Sequence, residues 1–344
     1  MFILLLGLSV PLSIIFYAFF IEPRRLRERR YLIRKEKQKV LDISKAYDMY
    51  QLQTDLVIAH LSDFHFSYWF KPKRINRLIR SLRETQPDMI LFSGDLIDDY
   101  QRWPSSQTEL LIEKLKRLQA PKGKIAILGN HDYKHDGKHF IVEVLKEAGF
   151  TLLVNETNYQ ADQKISISIA GVDDALGGHP KYLYNLPTSD WRIMLIHQPD
   201  RIDQVPDLAK YDLVLAGHSH GGQIRLPFYR KVVQGARRYT HGLYWPSEKT
   251  LLSVNTGIGT TGIHARLAVL PEIIYYHLST SEIAFETDFD GTKKKGIFKT
   301  TKEPEADDIL FTHNHPTPVA AFPNQSPKIS FHKELIKKTI FRKP

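Results

Sequence analysis

The chain has 344 residues, 42% of them hydrophobic, which suffices for a large domain with a real core. Its formal net charge of +10 suits phosphate, anionic lipid or nucleic-acid partners without choosing among them. Cysteine is absent, which excludes disulfides and thiolate metal sites, so any metal must be held by nitrogen and oxygen.

Residues 1–21, MFILLLGLSVPLSIIFYAFFI, carry no charged side chain and are long enough to cross a bilayer as one helix. No Lys or Arg precedes the apolar core and no small-residue cleavage site follows it, so the segment reads as an uncleaved transmembrane anchor. Residues 24–30, RRLRERR, come next, and basic residues stay on the cytoplasmic side. The expectation is a single-pass protein of the cytoplasmic membrane whose bulk faces the cytoplasm. Residues 22–52 then read as a basic juxtamembrane segment resting partly on anionic headgroups.

From about residue 53 the pattern becomes strand, loop and helix, repeated. DLVIAHLSD is a short apolar run with a polar end, and RINRLIRSLRE has apolar residues at helical spacing. DMILFSGD and KIAILGNHD predict the next strands, with LLIEKLKRLQA and HFIVEVLKEAGF as amphipathic helices. TLLVNE, KISISIAGVDD, WRIMLIHQPD, YDLVLAGHSH, TLLSVNTG and EIIYYHL then follow as strand-like segments. The predicted class is α/β, with two packed β-sheets flanked by helices in a catalytic domain over residues 53–288. Residues 289–344 read as a basic, largely disordered tail, with a short amphipathic helix over 331–344 that can touch a membrane.

Polar residues recur at the carboxyl ends of these strands, where open α/β sheets place ligands. The first strand ends in Asp63 and His65, the second in Gly94 and Asp95, and the third in Gly129, Asn130, His131 and Asp132. WRIMLIHQ ends in His197, and YDLVLAGHSH in Gly217, His218 and His220. Taken singly, Asp-x-His is ordinary surface polarity, Gly-Asp is a turn, and a lone histidine belongs to the core. Two imidazoles straddling one residue after a buried strand have little packing purpose, and five such pieces on five strand ends are not coincidence. Oxygen and nitrogen donors of this kind suit Mn, Fe or Zn.

In that order and spacing the motifs resemble those of the calcineurin-like metallophosphoesterases, over residues 54 to about 280. The continuations GHSHGGQIRLPF and NTGIGTTG resemble the membrane-associated bacterial branch, which includes a lipid A pathway pyrophosphatase. The resemblance implies a four-layer α/β/β/α fold with mixed sheets and two divalent ions, Mn favoured. One ion would be held by Asp63, His65, Asp95 and His220, the other by Asp95, Asn130, His197 and His218, with Asp95 bridging. It implies that His131 faces the phosphate as general acid or transition-state stabiliser, and that Asp98 orients it, although Asp99 stands beside Asp98. Two cations about 3.5–4 Å apart clamp phosphoryl oxygens and turn a bridging water into hydroxide near neutral pH, for in-line attack on a phosphodiester or pyrophosphate bond.

Residues 257–262 match a dinucleotide fingerprint in form, but no helix or well-spaced acid follows, so a glycine-rich loop beside the metal site is expected. His313 and His315 read as tail filler, and His135 and His139 as pocket or surface. Arg225 is a candidate contact for substrate phosphate, or a residue that packs its loop. Phe66, Tyr68, Trp69 and Phe70, with Lys71, Lys73 and Arg74, read as an apolar and basic lip touching acyl chains or headgroups, Trp69 and Phe70 foremost. The alternative is that Phe66, Trp69 and Phe70 pack under the first helix. The functional expectation is a membrane-anchored phosphoesterase for a lipid or cell-envelope intermediate, with no specific nucleic acid. The rivals are an enzyme of soluble nucleotides and an inactive binding protein.

Overall fold

The run Met89–Phe92 shows how the interior is organised. Met89 and Leu91 join one core and Ile90 and Phe92 another, because side chains alternate across a strand and both of its faces are covered. The structure, a computed structural model, describes residues 2–35, 39–45, 54–182 and 184–280. In chain order its first half comprises α1 (Phe2–Phe16), β1 (Arg27–Arg34), β2 (Lys39–Asp42), β3 (Leu56–Leu61), α2 (Asn76–Thr85), β4 (Met89–Phe92), α3 (Thr108–Lys116), β5 (Lys124–Ala126), α4 (Asn130–Tyr133) and α5 (Lys138–Glu147). There follow β6 (Phe150–Leu152), β7 (Glu156–Ala161), β8 (Ser166–Gly171), β9 (Trp191–Leu195), β10 (Leu213–Ala216), β11 (Arg225–Leu226), β12 (Tyr229–Arg230), β13 (Gly242–Tyr244), β14 (Leu251–Val254) and β15 (Glu272–Ser279).

Two mixed sheets form, in the orders β2-β1-β15-β3-β4-β5-β6 and β13-β14-β10-β9-β8-β7. Ile58, Leu91 and Ile125 of the first sheet meet Ile169, Ile193 and Leu215 of the second in the central core. The buried faces of α2, α3 and α5, with Leu78, Leu115 and Leu145, cover the outside of the first sheet. Short 3₁₀ turns, including Pro199–Gln204, help to cover the outside of the second. β3, β4 and β5 run parallel, as do β9 and β10, so the carboxyl ends within each set share one edge.

The transmembrane helix expected over residues 1–21 is not found. Among the described residues no helix is long and apolar enough to cross a membrane. The α-helix α1 has 15 residues, about 22 Å at 1.5 Å per residue against a hydrocarbon layer of about 30 Å, and Tyr17–Ile21 winds on as a π-turn. The foot of this helix is docked: the Arg266 N–H donates to the Ala18 carbonyl at 2.9 Å and the Val269 N–H to the Glu22 carboxylate at 2.7 Å.

The basic segment predicted over residues 22–52 is corrected too. β1 lies between β2 and β15, with Tyr31, Leu32 and Ile33 buried. Arg27 and Arg29 each bond Glu272 at 3.0 Å, so two of the basic side chains read as membrane-facing share a carboxylate inside the fold. Residues 281–288 and the predicted tail, with His313, His315 and the helix over 331–344, lie outside the described residues.

His277 on β15 is 5% exposed, and its Nε2 has no hydrogen-bond partner among the described residues. Burial, and then the Arg30 charge, push its pKa down to about 4. An unfolded histidine titrates near 6.5, so unfolding between those values takes up a proton, and the stability present above pH 6.5 is lost as pH falls. His277→Gln is expected to reduce the loss of unfolding free energy between pH 7 and pH 5 by about 2 kcal/mol, read from urea denaturation at both pH values.

Candidate metal centre

Each site residue leaves the end of a buried strand. Asp63 and His65 follow β3, Asp95 follows β4, Asn130 opens α4 just after β5, His197 follows β9, and His218 and His220 follow β10. The two sheets therefore supply one site jointly. Asp63, His65, Asp95, His218 and His220 all have positive φ, between 44° and 67°. Such left-handed backbone is unfavourable for residues with a Cβ and persists where the surroundings over-determine it, as at functional sites. Gly94, at φ 98°, lets the tips of β4 and β5 touch: a Cβ there would lie 2.5 Å from the Gly129 nitrogen.

The side chains converge into two adjoining groups, Asp63 with His65 and His220, and Asp95 with His197 and His218, and a third, His65 with Asp95 and His131, overlaps both. His220 Nε2 lies 2.9 Å from His65 Nε2 and 3.5 Å from Asp63 Oδ1. His197 Nε2 lies 3.2 Å from Asp95 Oδ2 and 3.3 Å from His218 Nδ1. Asp95 Oδ2 is also 3.4 Å from His65 Nε2, which puts this carboxylate between the groups.

Burial disfavours charge on these residues, and their mutual fields override it in four. Against burial, His220, His65 and His197 hold Asp63 below the usual carboxylate range, and His197, His131 and His65 do the same for Asp95. Against burial again, Asp63, Asp98 and Asp95 push His65 up to about 10, and Asp95 with Asp63 raises His197 well above its ordinary value. Burial, first of all, lowers His218 and His220. Protons on His65 and His197 thus supply the positive charge that the carboxylates demand, and metal binding would displace them.

The residues fit a pair of divalent ions. The donors are nitrogen and oxygen only, and Asn130 Oδ1 is buried without a hydrogen-bond partner among the described residues. Three imidazoles are fixed from behind. His197 Nδ1 lies 2.7 Å from the Ser93 carbonyl, His218 Nε2 2.8 Å from the Gln234 carbonyl, and His65 Nδ1 3.1 Å from Asp98 Oδ1. In each the other ring nitrogen is left toward the cluster.

Asp98 and Asp99 separate clearly. The Asp98 carboxylate bonds His65 and also accepts from Thr261 Oγ1 at 2.6 Å. His131 Nδ1 sits 2.6 Å from the main-chain carbonyl of Asp98 and 3.5 Å from its carboxylate. Asp99 instead lies 2.8 Å from His135 and accepts from the Gln101 N–H at 3.1 Å. His139 is exposed. Sequence reasoning gave Asp132 no role, yet its carboxylate accepts the N–H groups of Asp95, Leu96 and Gly129 at 2.8–2.9 Å and staples two strand tips together. Its place in Gly-Asn-His-Asp was the available signal.

The glycine-rich loop supports Asp63. The N–H groups of Ile258 and Gly259 donate to the Asp63 carbonyl, and the fully buried Arg266 donates to the carbonyls of Thr256, Gly257 and Gly259. The aromatic lip divides. Phe66 and Phe70 belong to the core, which corrects the reading of Phe70 as a substrate contact, because its ring packs on Phe66. Tyr68 and Trp69 are 67% and 64% exposed, and Trp69 stacks on His264 at 5.5 Å. Arg225 Nε donates to the Gly221 carbonyl at 2.7 Å and Nη1 lies 3.3 Å from His241, so this residue braces the loop after His220.

Residues 56–222 match the family model described as calcineurin-like phosphoesterase. The chain is 32% identical over 272 residues to the uncharacterized metallophosphoesterase YkuE of Bacillus subtilis, covering 77% of this chain and 90% of that protein. It is 31% identical over 231 residues to the phosphodiesterase YaeI of Escherichia coli, covering 64% and 81%. Among solved structures, the calcineurin-like phosphoesterase YfkN from Bacillus subtilis aligns with a TM-score of 0.36 at 17% identity, over 64% of this chain and 80% of that one.

Proposed function

Since the chain belongs to the calcineurin-like phosphoesterase family and is a phosphoester hydrolase, we propose that it works with two divalent ions on a phosphodiester or pyrophosphate bond of a lipid or cell-envelope intermediate. The observation that carries this reading is the Asp95 carboxylate between two His and Asp groups. Asp63, His65, Asp95 and His220 would hold one ion, and Asp95, Asn130, His197 and His218 the other. Bound Mn, Fe or Zn, with Mn the ion favoured by the family resemblance, would supply Lewis acidity and an acidified water.

The protein's own groups do the rest. Since a carbonyl can only accept, His131 Nδ1 carries a hydrogen against the Asp98 carbonyl. Nε2 then donates only when both ring nitrogens carry a hydrogen. The proton passes to the ester oxygen as the P–O bond breaks. His65, held by Asp98, and His218, held by Gln234, keep their rings aimed while the substrate binds.

The lipid part of the proposal rests on exposed apolar surface at the end of the site nearest His65. Trp69 stacks on His264, which is followed by the buried Arg266 bonded to Ala18 at the helix foot, and Ile263 is exposed beside it. The helix presents Leu12, Ile15, Phe16 and Phe20 to its surroundings, and Lys71 sits over the Tyr68 ring. Aromatic and basic side chains of this kind favour a membrane boundary. The proposed location is therefore the cytoplasmic face of the membrane, with the helix lying against it.

With Mn loaded, Tyr68→Ser/Trp69→Ser is expected to lose about tenfold more kcat/KM on a lipid-linked pyrophosphate in micelles than on bis(4-nitrophenyl) phosphate. Equal losses on the two would favour an enzyme of soluble nucleotides. Wild-type protein that binds Mn but cleaves neither would favour the binding-protein reading.

A further inference from the structure

Beside His218 there is a cavity of about 460 Å³ lined by Asp200, Arg201, Gln234, Gly235 and Arg237. Its wall is shared with the metal centre. The Gln234 carbonyl anchors His218 Nε2 at 2.8 Å, and a Cβ on Gly235 would stand 3.7 Å from the same nitrogen. One imidazole ring thus separates the cavity wall from the position where Asp95, His197 and His218 meet.

The charges lining it are not balanced. Asp200 already accepts the N–H groups of Arg237, Arg238 and Tyr239 at 2.6, 3.0 and 3.2 Å, which fixes its carboxylate to the turn. Arg238 pairs with Asp203 at 2.5 Å. Among the described residues Arg201 and Arg237 have no carboxylate partner. Arg201 Nε is buried without a hydrogen-bond partner, and so is the hydroxyl of Tyr182, close enough to feel the Arg201 charge. A buried donor and a neighbouring hydroxyl left unmatched beside a cationic cavity are completed by an anion with several acceptor oxygens.

We propose that this cavity is an anion subsite for a second phosphoryl group of the substrate, beyond the scissile phosphorus on the His218 side. This deepens the phosphoesterase reading and rests on it. The substrate is then a phosphate ester whose remaining part carries another phosphoryl anion, whether soluble or lipid-borne. Apolar contacts at Tyr68 and Trp69 lie toward His65 and the cationic cavity lies toward His218, so the two ends of the substrate differ in kind.

Two measurements test it. Ethylphosphonate titrated calorimetrically into EDTA-treated protein is expected to bind, because protein groups alone build the subsite. Its affinity should fall about tenfold for Arg237→Gln and again for Arg201→Gln. No binding, or binding indifferent to both arginines, overturns the proposal. In the Mn-loaded enzyme, Arg201→Gln/Arg237→Gln is expected to raise KM about tenfold more for 6-phosphonohexyl 4-nitrophenyl phosphate than for hexyl 4-nitrophenyl phosphate. An equal change on both substrates removes the subsite and leaves the hydrolase standing. Absence of any hydrolysis by wild type removes the hydrolase reading, and the calorimetry still decides the anion site. A long-chain alkyl version of the phosphonate probe in micelles separates the sources: the arginine effect is expected with both probes, and a Trp69→Ser effect only with the lipid-borne one. Arg237 is exposed, so its single variant keeps the test valid if Arg201→Gln lowers the melting temperature.

Discussion

Asp95→Asn is expected to lower kcat/KM on a phosphate diester by at least about a thousandfold and to halve the Mn content of the purified protein. The reason is positional. Asp95 Oδ2 stands 3.2 Å from His197 and 3.4 Å from His65, so it is the carboxylate that serves both groups. An amide keeps the shape, loses the charge and offers one oxygen instead of two. Asn cannot hold His197 and His65 protonated as Asp does, so in metal-free protein both imidazoles should titrate lower by NMR. Metal analysis showing two ions per chain, with turnover near wild type, would sink the bridging role.

His131→Gln is expected to leave metal content unchanged and to reduce kcat by about 10²–10⁴-fold on a diester with an alkoxide leaving group. The reduction should be much smaller for a 4-nitrophenolate leaving group, which departs without a proton. The histidine sits where such a role requires, with its ring 4.6 Å from that of His65 and its Nδ1 held by the Asp98 carbonyl. Losses of equal size on both leaving groups would assign His131 to charge stabilisation instead of proton delivery. Its backbone N–H already donates to Asp95 Oδ1 at 2.8 Å, so the variant's melting temperature should accompany the kinetics.

The donor set was legible because each member follows a short, mainly apolar run, and such runs end where a buried strand meets solvent. The partners of those donors were not legible. Asp98 and Asp99 are adjacent acids, and only the backbone path decides that one turns to His65 and Thr261 while the other caps the turn at Gln101. β1 escaped the sequence reading because RERRYLIR looks like a surface charge run. It becomes an interior strand once Glu272 on β15 takes Arg27 and Arg29. β7 escaped because it is a polar edge strand, alternately exposed along its length. Four aromatic residues over 66–70 look alike in composition, yet chain direction buries Phe66 and Phe70 and turns out Tyr68 and Trp69.

The left-handed conformation at Asp63, His65, Asp95, His218 and His220 limits how this chain can be altered. Only glycine, asparagine and a few short polar types sit comfortably at such positions, while β-branched replacements would strain the loops before any chemistry was tested. A copy that gave up hydrolysis yet kept its shape should therefore carry Gly or Asn at these five places. Threonine or valine there would mark a domain that had lost its architecture as well.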